Sequence, residues 1–339
     1  MTWRDVFGRD LRSVYRSRTG TAVAAILALS TVVAVGLFAL AEDTAVLGGI
    51  GALLTIVVLL ALVFVGSPRS IAITVLAFTV VAVGLTFLVA GLRPAEAARP
   101  PMQLAVVSVG SALSFLLPLV ALVGSYAALV GERETGSVRF LLGLPNSRTD
   151  AYAGKYLSRA AVVLVPLAVG LGLTAVVVEL TFADGSVLGI LGLTAVSIPY
   201  ALLFVGIGLS ASAYADTSNR AVAVVIAAFV VYRVGWPAIQ LLGLQGLDDP
   251  YPRPEWFFWV GRTNPINAYV KLTTLFAEFE FGHPLISSPG RGFVGPDTAS
   301  EAAVNTIATS HWFAAVVLLA WTVLAPIAGL LYFRDRDIL

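Results

Sequence analysis

Apolar residues run through this chain in long blocks rather than with the period of a half-buried surface helix. Eight blocks approach or exceed the roughly 20 residues that an α-helix needs to cross about 30 Å of hydrocarbon. They are 20–41, 46–66, 71–92, 103–130, 155–180, 188–214, 220–244 and 311–333. The fourth and fifth are long enough to tilt or to extend past the headgroups. Only Ser67-Pro68-Arg69-Ser70 separates the second from the third, so those two form a tight hairpin that either spans or re-enters as a pair.

The polar residues sort by side. With the N-terminus inside, most of the 21 Lys and Arg fall on the cytoplasmic face, as the positive-inside rule requires, and both termini are cytoplasmic. Residues 1–19 predict an amphipathic helix on the inner leaflet. Trp3, Phe7, Leu11, Val14 and Tyr15 share one side of it, and Arg9, Arg12 and Arg16 another. Ala39-Leu40-Ala41 resembles a signal-peptide cleavage site, but the apolar block before it exceeds the usual 7–15 residues of such a leader. The expected organisation is therefore an interfacial helix at 1–19, a transmembrane domain at 20–333 and a short cytoplasmic tail at 334–339.

Composition narrows the function. The chain has 339 residues, 58% hydrophobic and 12% charged, with a mean hydropathy of +0.91. Soluble domains carry about 25% charged residues, so lipid is the expected solvent. A net charge of +1 argues against nucleic-acid binding. With no cysteine there is no disulfide, thiolate nucleophile or Cys-ligated metal. His283 and His311, the only histidines, lack metal-ligand spacing, and no Ser, His and carboxylate set suggests catalysis. The expected fold is an all-α polytopic bundle of about eight transmembrane helices with no catalytic centre.

One polar segment, 131–154, departs from the plain loops around it. It reads Gly131-Glu132-Arg133-Glu134-Thr135-Gly136-Ser137-Val138-Arg139-Phe140-Leu141-Leu142-Gly143-Leu144-Pro145-Asn146-Ser147-Arg148 and reaches Gly154-Lys155. Glu132 and Glu134 suit the positive end of a short helix. Val138, Leu141 and Leu142 supply an apolar stripe. Gly143 and Pro145 give a stop, and Ser147 or Thr149 can cap the next helix. A short amphipathic helix presented between two spans suits docking of a cytoplasmic partner that pushes on them.

This segment closely resembles the cytoplasmic loop of ABC-2 permeases, the membrane subunits of ABC transporters. The shared pattern comprises Glu132-Arg133-Glu134, Gly136-Ser137, Leu141-Leu142, Pro145, Ser147-Arg148 and Gly154-Lys155. The basic N-terminal helix and the ending Phe333-Arg334-Asp335-Arg336-Asp337 extend the likeness, which is greatest to the multi-copper-enzyme maturation branch that includes the permease serving nitrous-oxide reductase. Family members usually have six spans; segments 46–66 and 71–92 are an even insertion here, which keeps the loop cytoplasmic.

The resemblance implies an ATP-driven transporter of the plasma membrane, an exporter by family habit. Two permease chains, identical or paralogous, would combine with two ATPase subunits. The coupling and docking residues would be Glu132, Arg133, Glu134, Gly136, Ser137, Arg139, Leu141, Leu142, Pro145 and Arg148. No cofactor is expected on this chain; ATP would bind the partner. In agreement, Gly154-Lys155 is followed by Tyr156, so no GxxxxGK[ST] phosphate loop is present.

Two features outside the loop carry open alternatives. Arg233 lies mid-span, where a lone Arg costs about 2.5–3.5 kcal/mol on insertion scales. It lines a pathway and meets an anionic group, or it is a buried or snorkelling residue beside the Trp236-Pro237 kink. The proline-rich outer loop 245–310 carries Trp256-Phe257-Phe258-Trp259, and Asn264-Pro265 opens a helix toward Glu280. That helix lies over the outer mouth, or forms a gate or a docking surface for an extracytoplasmic partner. The rival function is a secondary transporter without an ATPase; it would show paired repeats and mid-span carboxylates, and neither is found.

Overall fold

The computed structural model describes residues 3–17, 102–136, 147–182, 187–245, 253–276 and 304–335, with single positions at 20, 24, 27, 31 and 247. The segments 46–66 and 71–92 lie outside the described residues, as does most of 20–41. Every regular element among the described residues is helical. In chain order they are α1 (Trp3–Tyr15), α2 (Met102–Ser125), α3 (Val130–Glu134), α4 (Arg148–Thr181), α5 (Val187–Tyr214), α6 (Ser218–Val230), α7 (Trp236–Leu244), α8 (Glu255–Thr263), α9 (Pro265–Thr273) and α10 (His311–Asp335). Among the described residues, five stretches are long and apolar enough to cross a membrane: Ala112–Glu134, Arg148–Leu180, Val187–Tyr214, Ser218–Leu244 and His311–Asp335. They correspond to the last five blocks of the sequence.

α5 is the hub, because it is apolar all round and so can be covered on several sides. It packs against α2, α4, α6, α9 and α10. Leu193, Tyr200, Phe204 and Leu209 are fully buried along it. Gly206 and Gly208 let neighbours approach closely. A Cβ at Gly208 would lie 2.0 Å from Ser125 Oγ of α2, and one at Gly206 2.7 Å from Pro326 Cδ of α10.

α4 has 34 residues and opens on Ser147, whose side chain accepts from the Asp150 N–H at 3.0 Å. At 1.5 Å per residue such a helix is about 50 Å long, well beyond the hydrocarbon thickness. Its first turns carry α1 on one side and on another bury Tyr152 against Leu209 of α5 and Phe333 of α10.

The fourth stretch is interrupted. Between α6 and α7, Val231–Gly235 forms a π-turn, in which the Trp236 N–H reaches back to Val231 O. Pro237 follows directly and has no N–H to give the helix, so the wider turn sits where regular bonding fails. Asn264 meets this turn: its Nδ2 donates to Tyr232 O at 2.7 Å while its Oδ1 accepts from the Ile266 N–H at 2.9 Å, capping α9.

Asn264-Pro265 thus opens a helix as the sequence indicates, but α9 does not lie over the bundle. Ile266, Ala268 and Tyr269 are fully buried, and α9 packs against α2, α5 and α10. Ile266, Ala268, Tyr269, Val270 and Leu272 supply the apolar area that enclosure covers, and Lys271 and Thr273 are buried with them. A 3₁₀ turn continues it to Phe276; the remainder toward Glu280 lies outside the described residues.

Candidate functional site

The densest polar cluster lies where α1, α3 and the start of α4 meet. α1 buries a Val6–Asp10–Val14 stripe at i, i+4 spacing, while Arg4, Arg9, Arg12 and Arg16 stay exposed. The stripe sits on α4 at Gly154, where an added Cβ would be 2.7 Å from both Trp3 O and Val6 Cβ. Asp10, in mid-stripe, accepts from Lys155 Nζ at 3.2 Å, from Arg159 Nε at 3.1 Å and Nη2 at 3.3 Å, and from Ser158 Oγ. Lys155, nearly inaccessible, also donates to Glu132 Oε1 of α3 at 2.8 Å. Two carboxylates and two cations balance, so no net charge is buried. Burial by itself raises the Asp10 carboxyl, but Lys155 and Arg159, then hydrogen bonds from Ser158 and Lys155, hold it below its ordinary 3.8.

The three charges of Glu132-Arg133-Glu134 go to three different elements. Glu132 joins Lys155 of α4. Arg133 donates from Nη1 to Ala215 O at 2.9 Å and from Nη2 to Ala213 O at 3.1 Å, closing the carbonyl end of α5, and its guanidinium stands 5.9 Å from the Phe333 ring centre. Glu134 accepts from the Ser218 N–H at 2.7 Å and from its hydroxyl, at the start of α6. Those bonds lower its pKa from 4.5, the Ser218 hydroxyl most and its N–H next. Glu134 therefore serves the positive end of a helix, as the sequence suggests, but the helix is α6 rather than its own; within α3 it occupies the last position.

The chain turns around this triad by explicit bonds. The Leu129 and Val130 N–H groups, free where α3 begins, donate to Ser212 Oγ at 2.9 and 3.0 Å. Gly136, at φ +71°, closes α3 in the left-handed conformation, with its N–H on Arg133 O at 3.0 Å. Arg148 Nη1 donates to Arg334 O at 2.8 Å, tying the start of α4 to the end of α10. Ser137, Arg139, Leu141, Leu142 and Pro145 lie outside the described residues.

Arg233 lies away from this cluster, in the π-turn, and is fully buried. Its Nη1 donates to Ser114 O at 3.3 Å and the guanidinium lies 5.0 Å from the centre of the Phe115 ring. Among the described residues its Nε and Nη2 have no hydrogen-bond partner and it makes no salt bridge. Tyr200 also donates to Ser114 O, at 2.8 Å, and stacks on Tyr269 of α9 with ring centres 4.0 Å apart.

The structure thus gathers Glu132, Arg133, Glu134, Gly136 and Arg148 at one end and places Arg233 apart in the bundle. Reasoning from sequence missed Asp10, Ser158, Arg159, Ser212 and Ser218, and took Lys155 only as part of a pattern. Asp10 had a signal: it is an acid in a basic helix, four residues from both Val6 and Val14. The serines had none.

The sequence profile of the ABC-2 family transporter proteins matches residues 6–338. A protein of Stutzerimonas stutzeri described as a probable ABC transporter permease protein, NosY, is 27% identical over 253 residues, covering 73% of this chain and 89% of that protein. One of the same description from Pseudomonas aeruginosa is 24% identical over 219 residues, covering 63% and 77%.

Proposed function

The chain belongs to the ABC-2 family of transporter proteins and is a multi-pass membrane subunit of an ABC transporter; from that premise we propose that a separate ATPase subunit drives it through residues 132–150. The observation that carries this reading is the division of Glu132, Arg133 and Glu134 among α4, α5 and α6. A push on the chain that follows Gly136 reaches three membrane-crossing helices at once. Hydrogen bonds hold direction better than apolar contacts do, because they weaken steeply when misaligned. The Arg148 bond to α10 adds a fourth.

On this reading the α1 end of the bundle faces the cytoplasm of a cell whose plasma membrane holds the chain, with both termini inside. ATP binds and is hydrolysed on the partner. Two ATPase subunits work with two permease chains, and transport runs outward. Arg233 belongs to the pathway: a fully buried guanidinium without a carboxylate partner among the described residues is costly, and such a charge is retained where it meets a transported group. The outer loop 245–310 is available to an extracytoplasmic partner.

Purification in mild detergent tests the central claim. A stoichiometric ATPase recovered with the wild type supports it, and charge reversal at Arg133 should leave insertion intact while transport falls. Because the chain has no cysteine, a single cysteine at Arg139 can be labelled with a membrane-impermeant maleimide. Labelling from the extracytoplasmic side, or a chain that transports without any bound ATPase, would refute the proposal.

A further inference from the structure

The Asp10 cluster has an asymmetry that bears on how a push would travel. Lys155 Nζ serves two carboxylates, Asp10 at 3.2 Å and Glu132 at 2.8 Å. Their side chains differ in exposure: 8% for Asp10, 23% for Glu132 and 1% for Lys155 between them. Glu132 can leave Lys155 and reach water. Asp10 cannot, and it is held besides by Ser158 and by two nitrogens of Arg159.

If Glu132 swings out, Lys155 keeps Asp10 as its counter-ion, and the cluster is left with one net positive charge shared with Arg159, the more exposed cation. Without Asp10, the same movement would leave an ammonium group in a nearly dry site, where an uncompensated charge is strongly disfavoured. Asp10 therefore sets how easily the contact between α3 and α4 is broken and remade. Its backbone is fixed by α1, which is seated on Gly154 by Val6 and Trp3. Arg159 extends the anchor to α2 through a bond from Nη1 to Gly124 O at 3.1 Å.

We propose that Asp10 is a positioning residue for coupling: it keeps Lys155 buried and charged as a fixed point that Glu132 engages and releases, making α1 the anchored side of the coupling machinery. The proposal rests on the permease reading and adds to it that the Glu132 link is breakable and is anchored by residues outside the 132–150 segment. α1, the first turns of α4 and the end of α2 form the fixed side of that link. α3 forms the side that moves.

The test uses the permease purified with its ATPase and reconstituted in lipid nanodiscs. Vanadate-sensitive ATP turnover and the tryptophan-fluorescence unfolding midpoint are measured for the wild type, Asp10→Asn, Asp10→Glu, Glu132→Gln and the double variant Asp10→Asn/Glu132→Gln. The expected result is at least a threefold loss of turnover in Asp10→Asn with the ATPase still bound, and recovery of most of it in Asp10→Glu. The double variant should be no slower than the slower single, because both act through Lys155. Wild-type turnover in Asp10→Asn, or single losses that multiply in the double variant, overturns the proposal. If Asp10→Asn does not fold, Ser158→Ala takes its place, since it removes one donor and leaves both salt bridges. A loss of turnover at an unchanged midpoint then supports the proposal, and unchanged turnover overturns it. A wild-type permease that brings down no ATPase is a different failure: it sinks the permease reading, and this proposal with it.

Discussion

Glu134 and Ser218, 84 positions apart, are joined by two hydrogen bonds, one from the Ser218 N–H and one from its hydroxyl. An acid from the turn after α2 thereby occupies the positive end of α6, where free N–H groups and the helix dipole both favour negative charge. Glu134→Gln should loosen the first turn of α6. Amide exchange at Ser218, Asn219 and Arg220 is expected to quicken several-fold in the variant, with α4 unaffected. Because Ser218 lowers the Glu134 pKa, the same loosening should appear in the wild type only as pH falls through and below the ordinary 4.5. Unchanged exchange at those amides would show that the bonds carry no load.

Asp10 gives a second pH dependence. A carboxyl whose folded pKa lies below its unfolded value stabilises the fold above the unfolded value, and that contribution fades as pH falls through the folded one. Docking of α1 should therefore persist down to the ordinary 3.8 of an aspartate and be lost below it. Trypsin nicking at exposed Arg9 and Arg12, after brief acid exposure and return to neutral pH in the presence of a bilayer, reads out release. Arg159→Met, which removes one of the cations, should move the release to higher pH.

Gly154 admits no side chain where α1 crosses α4. The nearest atom to an added Cβ is the Trp3 backbone oxygen, which cannot rotate away. Gly154→Leu should cost roughly 1–3 kcal/mol as overpacking and lift α1 from the bundle. A lowered unfolding midpoint together with faster nicking at Arg9 is the expected outcome. Gly172→Ala, in open space on the same helix, should be close to neutral.

Asn264 fills two needs at once, capping α9 and satisfying the carbonyl of Tyr232 in the π-turn. It is fully buried. Asn264→Leu leaves that carbonyl and the Ile266 N–H without these partners, and should cost about 2–4 kcal/mol, from roughly 1–3 for an unmet buried group and the remainder for the lost cap. Chemical denaturation in mixed micelles measures it. A change under about 0.5 kcal/mol, the usual size for a surface site, would contradict the assignment.

Arg233 should trade stability against function. A buried guanidinium with no carboxylate partner among the described residues carries an uncompensated desolvation cost, which an apolar residue of similar length removes. Arg233→Met is thus expected to raise the unfolding midpoint while transport falls; Arg233→Gln should fall in transport with folding retained. Loss of folded protein in both variants would assign Arg233 a structural role instead.

The five described membrane-crossing helices were legible in the sequence because lipid imposes one demand, about 20 apolar residues with all backbone bonds satisfied internally. The punctuation around the polar loop was legible for the same local reason where it can be checked: Ser147 caps α4 and Asn264-Pro265 opens α9, while the stop read at Gly143 and Pro145 lies outside the described residues. The loop pattern pointed to the family, and the match over residues 6–338 bears that out. All of these depend on a residue and its near neighbours along the chain.

What the sequence left open is where each charge goes. Glu132, Arg133 and Glu134 are consecutive, yet their partners lie on α4, α5 and α6, chosen by how the helices pack at that end. Asp10 could be seen at the spacing of a buried stripe, but only the seat at Gly154 brings it against Lys155 and Arg159. α9 could be capped and counted, but its enclosure between α2, α5 and α10 depends on their mutual distance. Hydrophobicity places a segment in lipid without regard to direction, whereas a hydrogen bond needs its partner within about 3 Å, and only packed helices supply that.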